Sequence, residues 1–503
     1  MNAKKLELMK SSTFSYKSQL SIFSSLLALQ LLLTNPNLCM AAGSASGSAA
    51  AVKAEDRKTD THIQVKGQAL TIFKEYLQLD TSNPPGNEKL GADYLAKVLK
   101  ENGIEASVFE TAPGRACVYA RLKGTGKRKG VVLLNHIDVV PAHAPDWKFP
   151  PFSGTEQDGE IWGRGAIDMK GMGIIELMSM IAIKRSGKLL DRDLVFLGTP
   201  DEEVGGAHGA AWFVKNKGEL IKDCEYLINE GFIIDAYSDG KAKYWGVDVA
   251  EKNILWLGLT AKGLAGHASM PQDNSANNRM VRALARLADN PPPFTLLPEV
   301  KHFYESIAHT EPAQLGTLYR NIEKSTSADK ATASKLKEDK LKSSMLANTV
   351  SLTVMKAGYK TNVIPAESYC ELDCRLLPGV DHQAFIKQIR EILQDDSIEV
   401  SVIQWEKAEP SPFESAFVKA VKKVNALESK DGKTPVVPVI VPWFTDSHWF
   451  REVGLKAYGF APVEIDAEHL ATMHGKDERL PISSFNKGID RLTLILQELA
   501  QLD

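Results

Sequence analysis

Short apolar segments of strand length alternate with helical patterns over the first half of the chain. The segments GVVLLNH, DLVFLGTP and CEYLINEG are each long enough for one buried strand, and the helical patterns GIIELMSMIAIKRSG and GAAWFVKNKGELI lie between them. This order is typical of an α/β fold in which a mostly parallel sheet carries helices on both faces. In such sheets, ligands bind beyond the carboxyl ends of the strands.

Histidine and carboxylate residues stand where these apolar segments end. His136 ends the first segment, Glu202 and Glu203 follow the second in TPDEEVGG, and Glu230 lies at the end of the third. Because the carboxyl ends of parallel strands meet at one edge, we expect these groups to converge. Carboxylates that converge without compensation repel one another, so a cation is the natural explanation for such a group.

Two further candidates lie in segments that read as loops, Asp168 in GRGAIDMKG and His474 in MHGKDER. Taken alone, each is explained as well by a turn former or a helix cap. A set of histidines and carboxylates without a thiolate suits zinc, with manganese or cobalt as alternatives. Two zinc ions account for the number of ligands better than one, with a bridging carboxylate plus one histidine and one terminal carboxylate per ion. The predicted ligands are His136, Asp168, Glu203, Glu230 and His474.

Two acidic residues beside these ligands have separate predicted roles. Asp138 shares a strand face with His136, so we expect its carboxylate to accept the second N–H of the imidazole and fix the tautomer. Glu202 is not needed as a ligand, and its position fits a general base that takes a proton from the attacking water and gives it to the leaving amine. The alternative for Glu202 and Glu203 is a solvated helix N-terminus, where the helix dipole favours carboxylates.

The pattern of the sequence changes at Asn253. From there a strand, a helix, two strands, a helix and a strand predict a two-layer α+β domain, inserted over residues 253–405. The α/β pattern of residues 61–252 returns in residues 406–503, and we expect these two segments to form one catalytic domain. A Lys- and Ser-rich stretch near residues 324–345 is expected to be a solvated insertion.

The N-terminal segment has the order of a secretory signal peptide. Four lysines precede the apolar run at residues 21–33, and small residues follow at 41–51, which predicts a signal peptide over residues 1–42 and an exported protein. An uncleaved leader that anchors the chain is the alternative, although the run is shorter than the about 20 residues a bilayer needs. A formal net charge of -3 without a basic stripe gives no indication of a nucleic-acid partner.

The motifs HIDVVP, DGEIWGRGAIDMKG, TPDEEVGG and NEG occur in the order and spacing of a known family. The chain resembles the di-zinc metallopeptidases that include carboxypeptidase G, aminoacylase and the Gly-Xaa carboxypeptidases, and it is most similar to the carboxypeptidase-S-like branch. The resemblance covers about residues 65–500 and implies a zinc-exopeptidase-like fold whose inserted domain serves as a lid and a dimerisation domain.

The resemblance implies the same distribution of ligands as the residues themselves. It implies His136 and Glu230 on one metal, Glu203 and His474 on the other, and Asp168 between them. It also implies that Asp138 acts beside the metals and that Glu202 is the base.

The resemblance adds three residues in the inserted domain. His267 in GLAGHASMP is implied to polarise the scissile carbonyl and stabilise the oxyanion, often across a dimer. Asn362 and Arg375 in TNVIPAESYCELDCR are implied to hold the carboxylate of the substrate, for which arginine offers a planar fork. The alternatives are a turn cap for His267 and an ordinary exposed strand residue for Arg375. Phe232 stands where the family often has a second glycine, so we expect the pocket beside Glu230 to differ.

These residues predict metal-dependent hydrolysis of an amide bond next to a free carboxylate, with release of an amino acid from small peptides. An N-acyl amino-acid deacylase cuts the same kind of bond and is the alternative. A non-catalytic peptide-binding relative is a third interpretation, but the chain retains every predicted ligand and the base. The expected partners are a small peptide or an N-acyl amino acid, and a second copy bound through the inserted domain.

Overall fold

The computed structural model describes residues 66–502, and the predicted signal peptide lies outside the described residues. Within this part of the chain, no helix is long and apolar enough to cross a membrane. The helices are α1 (66–77), α2 (Glu88–Glu101), α3 (Lys170–Arg185), α4 (Ala210–Lys217), α5 (Ala276–Asp289), α6 (Pro298–Ile307), α7 (Ala313–Arg320), α8 (Ile322–Ser325), α9 (Lys330–Leu336), α10 (Lys340–Ser344), α11 (His382–Leu393), α12 (Ala416–Glu428), α13 (Ser447–Glu452), α14 (Ala467–Leu470) and α15 (Ile482–Leu499).

The strands form two larger sheets and two small ones. The strands are β1 (Ala106–Ala112), β2 (Arg115–Leu122), β3 (Gly130–His136), β4 (Thr155–Gln157), β5 (Glu160–Trp162), β6 (Leu194–Thr199), β7 (Cys224–Ala236), β8 (Ala242–Glu251), β9 (Asn253–Lys262), β10 (Gly266–His267), β11 (Thr349–Lys356), β12 (Val363–Ile364), β13 (Glu367–Leu376), β14 (Glu399–Glu406), β15 (Val436–Val441), β16 (Lys456–Ile465) and β17 (Arg479–Pro481).

The main sheet has eight strands in the order β1-β2-β6-β3-β7-β16-β8-β15. Its central strands run parallel, because β3 pairs in parallel with both β6 and β7, and β7 pairs in parallel with β16. Antiparallel pairs occur at β1 with β2, β2 with β6, and β7 with β8. The predicted mostly parallel sheet is confirmed.

Helices cover both faces of this sheet. All seven residues of β3 are buried, and neighbouring residues of the strand point to opposite faces. Leu133 belongs to the same apolar cluster as Ile174 of α3, whereas Leu134 belongs to a second cluster with Phe213 of α4 and Phe450 of α13. A continuous apolar run such as GVVLLNH is therefore buried from both sides, as expected for a central parallel strand.

A second, antiparallel sheet lies within residues 253–405 and has the strand order β11-β13-β9-β14. Buried and less buried residues alternate along β13, so one face of the sheet is covered and the other is open. Residues of α5 and α11 cover the buried face and share a separate apolar cluster with it. Cys370 and Cys374 point into this cluster and are unbonded. The boundaries of the inserted domain stay a prediction.

Apolar residues of the helical segment α6–α10 attach it to the main sheet. Phe303 and Tyr304 of α6 are fully buried and belong to the apolar cluster of the eight-stranded sheet. Leu336 and Met345, within the Lys- and Ser-rich stretch, are each only 1% exposed and join the same cluster. Most residues of the stretch near 324–345 are exposed or partly buried, as expected for a solvated insertion, and apolar residues such as Leu336 and Met345 attach it to the main sheet.

Candidate dinuclear metal site

Three predicted site residues reach one place because their strands are neighbours. β3 lies between β6 and β7 in the main sheet. His136 is the last residue of β3, and Glu202 begins a short 3-10 turn just after β6. Glu230 is the middle residue of β7 and lies just beyond the part of β7 that pairs with β3. The carboxyl ends of these parallel strands therefore present an imidazole and carboxylates at one edge of the sheet.

The imidazole of His136 is oriented by the backbone that follows it. Its Nδ1 lies 2.9 Å from the backbone oxygen of Asp138. Because a carbonyl oxygen only accepts, Nδ1 carries a hydrogen, and Nε2 is the atom that faces the cluster. The carboxylate of Asp138 lies 3.6 Å from Nδ1, beyond an ordinary hydrogen bond. This corrects the expectation for Asp138, whose backbone oxygen, rather than its side chain, accepts the second N–H.

The carboxylate of Asp138 instead connects two strand ends. It accepts hydrogen bonds from the backbone N–H of Glu202 at 3.2 Å and of Glu203 at 3.1 Å. The side-chain amide of Asn83 donates a third at 2.9 Å. Asp138 is fully buried, so these bonds satisfy a carboxylate that water does not reach. Its role is to hold the turn that carries Glu202 and Glu203 against the end of β3.

Asp168 lies between the two histidines. Its Oδ1 is 2.9 Å from Nε2 of His136, and its Oδ2 is 2.9 Å from Nε2 of His474. Glu230 lies 3.7 Å from Nε2 of His136, and Glu203 lies 3.4 Å from Nε2 of His474. The structure thus brings all five predicted ligands together. One oxygen of Asp168 faces His136 and Glu230, and the other faces His474 and Glu203.

These residues fit a pair of divalent cations. Ligand atoms of His136, Asp168 and Glu203 all lie within 4.8 Å of one another, as do those of His136, Glu202 and Glu230. Oε1 of Glu203 is buried and has no hydrogen-bond partner among the described residues. A buried carboxylate oxygen without a partner is costly, and a cation would satisfy it. Histidine nitrogens with carboxylate oxygens form a donor set that zinc accepts.

The electrostatics of the cluster favour positive charge. Hydrogen bonds to Asp168 and Glu203 raise the pKa of His474 to about 10. Burial opposes charge on His136, but Glu230, Asp138 and Asp168 together raise its pKa well above the usual value. Without a cation, the two imidazoles therefore hold protons among the carboxylates. Metal ligation needs neutral imidazole, so a metal ion would replace these protons.

Glu202 is a partly buried carboxyl group beside this cluster. Burial raises its pKa well above the usual value, and the negative charges of Glu230, Asp446 and Glu203 raise it further. Asp446, in the loop after β15, is itself buried and accepts a hydrogen bond of 2.9 Å from the hydroxyl of Thr199. A carboxyl group with a raised pKa can hold and release a proton near neutral pH, which is the property required of a general acid and base.

Glu478 is a supporting residue that sequence reasoning missed. Its Oε2 accepts hydrogen bonds from the side chain of Arg164 at 2.6 Å and from the backbone N–H of Gly165 at 2.9 Å. Its Oε1 accepts from the backbone N–H groups of Ile167 at 2.8 Å and Asp168 at 3.0 Å. Glu478 is fully buried and therefore anchors the whole loop that presents Asp168. Its only signal in the sequence is its place in MHGKDER, the segment of the second histidine.

The predicted residues of the inserted domain form a separate group. His267 in β10 pairs with β12, and the backbone N–H of Ala268 donates to the backbone oxygen of Asn362 at 3.2 Å. His267 is exposed, and its Nδ1 lies 2.7 Å from the hydroxyl of Ser269, so its Nε2 is the nitrogen left for a substrate. His267 and Asn362 are therefore neighbours, as their implied roles require.

Arg375 lies on the open face of the four-stranded sheet. Its Nε and one terminal nitrogen donate to the two carboxylate oxygens of Asp373 at 2.7 and 3.1 Å. The other terminal nitrogen is left for an anionic ligand. Among the described residues, no hydrogen bond or ion pair joins His267, Asn362 or Arg375 to the five clustered ligands. The structure does not bring these two groups together, and the roles of the three residues stay predictions.

Comparisons with known proteins agree with this geometry. The model of the peptidase family M20/M25/M40 matches residues 132–498. Probable carboxypeptidase S-like 2 from Dictyostelium discoideum is 29% identical over 374 residues, 72% of this chain and 70% of that protein. Aminoacylase-1 from Pongo abelii is 27% identical over 441 residues, 86% of this chain and 96% of that protein. The crystal structure of the M20 family metallo-carboxypeptidase Sso-CP2 from Sulfolobus solfataricus matches with a TM-score of 0.66 and 19% identity, over 86% of this chain and 99% of that one.

Proposed function

Because the chain belongs to the peptidase family M20/M25/M40 and is thus a metal-dependent amide hydrolase, we propose that it uses two zinc ions to cleave a C–N bond next to a free carboxylate. The observation that carries this proposal is the position of Asp168, whose two oxygens each lie 2.9 Å from a different histidine nitrogen. That arrangement is the one a bridging carboxylate between two cations needs. The products are a free amino acid and a shortened peptide or a carboxylic acid.

The proposed ligands divide into two sets that share Asp168. His136 and Glu230 would complete one set, and His474 and Glu203 the other, because each glutamate lies closest to its own histidine. Bound zinc ions supply Lewis acidity and lower the pKa of water at the site. The side chain of His136 is buried, whereas that of His474 is 53% exposed, so the His474 side of the set is open to solvent.

Glu202 moves the proton in the proposed reaction. Its carboxylate accepts a proton from the attacking water while the water oxygen bonds to the carbonyl carbon. The C–N bond then breaks, and Glu202 gives the proton to the departing nitrogen, so that the carboxyl group returns to its starting state. Burial and neighbouring negative charge raise the pKa of Glu202, which strengthens its affinity for the proton of the attacking water.

The carboxylate of the substrate is proposed to bind Arg375 and Asn362, with His267 at the carbonyl oxygen. Asp373 supports this by holding one edge of the guanidinium and leaving the other open. The fork of arginine matches a carboxylate in geometry and in charge. These assignments rest on the resemblance and on the terminal nitrogen of Arg375 that Asp373 does not bind.

Metal removal is the first test of the proposed function. Protein treated with a chelator should release no amino acid from dipeptides or N-acyl amino acids, and zinc, manganese or cobalt should restore release. Metal content is measured on the same samples. Protein that binds about two ions per chain and releases no amino acid from any substrate would instead support a non-catalytic binding protein. Because the peptidase and the deacylase cut the same kind of bond, only their substrates distinguish them. Release from dipeptides would support the peptidase, and release from N-acyl amino acids would support the deacylase.

Replacement of Arg375 by Ala should raise KM for substrates with a free carboxylate by about 10- to 100-fold, since each charge-assisted hydrogen bond contributes roughly 1.5–3 kcal/mol. The kcat value should change much less, and substrates with an amidated carboxylate should show no such difference. Arg279→Ala is the matched control, because Arg279 also pairs with a carboxylate, Asp395, in the same part of the chain. An unchanged KM for the Arg375 variant would refute the assignment.

The location and assembly of the protein are proposals that rest on the sequence. The order of charged, apolar and small residues in residues 1–42 supports export through a signal peptide. A homodimer through residues 253–405 is supported by the resemblance to the metallopeptidases.

A further inference from the structure

An apolar cavity adjoins two of the proposed metal ligands. Its volume is about 50 Å³, and Asp168 and Glu230 form part of its wall. Those two are the only charged residues among the described residues that line it. Because the metal end of the cavity is polar and the remainder is apolar, the cavity has the shape and chemistry of a pocket for a substrate group next to the scissile bond.

One of the residues that line the cavity is Phe232, which departs from the pattern of the family. Phe232 lies two residues after the proposed ligand Glu230, with Gly231 between them, and it lines the cavity. Its ring packs against Tyr244 with 6.1 Å between ring centres. A Cβ atom on Gly246 would lie 2.2 Å from the ring of Phe232, so the ring occupies the space that a side chain there would need. A smaller side chain at position 232 would therefore leave the space beside Gly246 empty.

Other residues that line the cavity come from three segments outside the central strands. Leu341 lies in α10, within the helical segment that docks on the main sheet. Trp443 follows β15, and Met473 immediately precedes the second histidine ligand. The cavity is thus enclosed by residues whose positions depend on this chain's insertion and loops, and not only on its sheet.

The cavity and Arg375 are formed by different sheets of the protein. Arg375 lies on the four-stranded sheet, whereas the cavity is lined by residues of the main sheet and of the segments packed on it. If the carboxylate of the leaving amino acid binds Arg375, the group that enters the cavity is the acyl side of the amide. A cavity of about 50 Å³ holds roughly three to five water-sized groups, at 10–15 Å³ each.

We propose that this cavity is the acyl subsite and that it selects amides whose acyl side is a short apolar group, with three to five carbon atoms beyond the carbonyl. The proposal rests on the proposed amide hydrolysis and names its substrate class. Aliphatic N-acyl amino acids from butanoyl to hexanoyl, and dipeptides that begin with a branched aliphatic residue, have this chemistry. Acetyl groups leave the cavity largely empty, and long fatty-acyl chains exceed it.

The test uses the metal-loaded enzyme and N-acyl derivatives of one amino acid, from acetyl through butanoyl and hexanoyl to decanoyl and palmitoyl. The kcat/KM value should rise by about fourfold per added methylene up to hexanoyl, as burial of each methylene predicts, and then fall. Phe232→Ala opens the cavity toward Gly246, so it should move the optimum by at least three carbons to longer chains. Leu341→Trp narrows the cavity and should move the optimum to shorter chains.

Phe303→Ala is the matched control. Phe303 is also a buried phenylalanine that contacts Tyr244, with 5.6 Å between ring centres, but it does not line the cavity. It should lose a comparable amount of packing without a change in chain-length optimum. Should Phe232→Ala fail to fold, Phe232→Leu provides a smaller expansion, and Leu341 is only partly buried and tolerates replacement better.

Three outcomes would overturn the subsite. They are a flat dependence on acyl length in the unaltered enzyme, an optimum that the Phe232 and Leu341 variants do not move, and a change that appears only when the amino-acid side chain is varied under a constant acyl group. The last outcome would place the leaving residue in the cavity. Failure of the proposed function is distinct, because the unaltered enzyme would then release no amino acid from any member of the series.

Discussion

Glu202→Gln is expected to abolish amide hydrolysis while the protein keeps its metal ions. Glutamine has the same shape but cannot accept a proton from water, and general acid–base catalysis contributes about 10²- to 10⁴-fold to a rate. The pKa of Glu202 is raised first by burial and then by the charge of Glu230, so its proton affinity is the property that the substitution removes. Initial rates and metal content, measured on one preparation, test both halves of the prediction.

Glu203→Gln is the matched comparison, since it changes the neighbouring residue in the same turn. Its carboxylate lies 3.4 Å from His474, so its loss should lower the metal content as well as the rate. The comparison matters because Glu202 also lies within ligand distance of His136 and Glu230. Loss of one metal ion from the Glu202 variant would make Glu202 a ligand and remove it as the base.

The place of the site could be predicted because strand order and chemistry agree. A histidine and two glutamates that end or follow apolar segments come together wherever those segments are adjacent parallel strands. His136, Glu203 and Glu230 meet this condition, since β3 lies between β6 and β7. Asp168 and His474 lie in loops, and the requirement for more ligands and the family resemblance pointed to them.

The part that could not be predicted depends on loop geometry. The backbone oxygen of Asp138, and not its side chain, accepts the N–H of His136. This depends on the local turn of the chain between the two residues. Near residues 324–345 the many Lys and Ser residues correctly indicated exposure, but composition did not show where the stretch attaches to the main sheet. A few apolar side chains such as Leu336 and Met345 determine the docking, and these do not stand out in a polar stretch.

Loss of Glu478 should be the most damaging change outside the ligands themselves. Glu478→Ala leaves the buried guanidinium of Arg164 without its carboxylate, at a cost of about 3–5 kcal/mol in the free energy of unfolding. It also removes the acceptor for the backbone N–H of Asp168. The loop that presents the proposed bridging carboxylate then loses its anchor, so metal affinity should fall by about 10- to 100-fold, as for other groups that orient metal ligands.

Denaturant unfolding of metal-free protein separates the loss of stability from the loss of metal affinity in the Glu478 variant. Glu468→Ala is the control, because Glu468 also pairs with an arginine, Arg479, but its side chain is 78% exposed. Removal of that exposed pair should change the free energy of unfolding by less than about 1 kcal/mol. Glu478→Gln keeps the shape and one carbonyl acceptor, so it should fall between the two. A Glu478→Ala protein with unchanged stability and metal affinity would show that the Asp168 loop holds its position without this buried carboxylate.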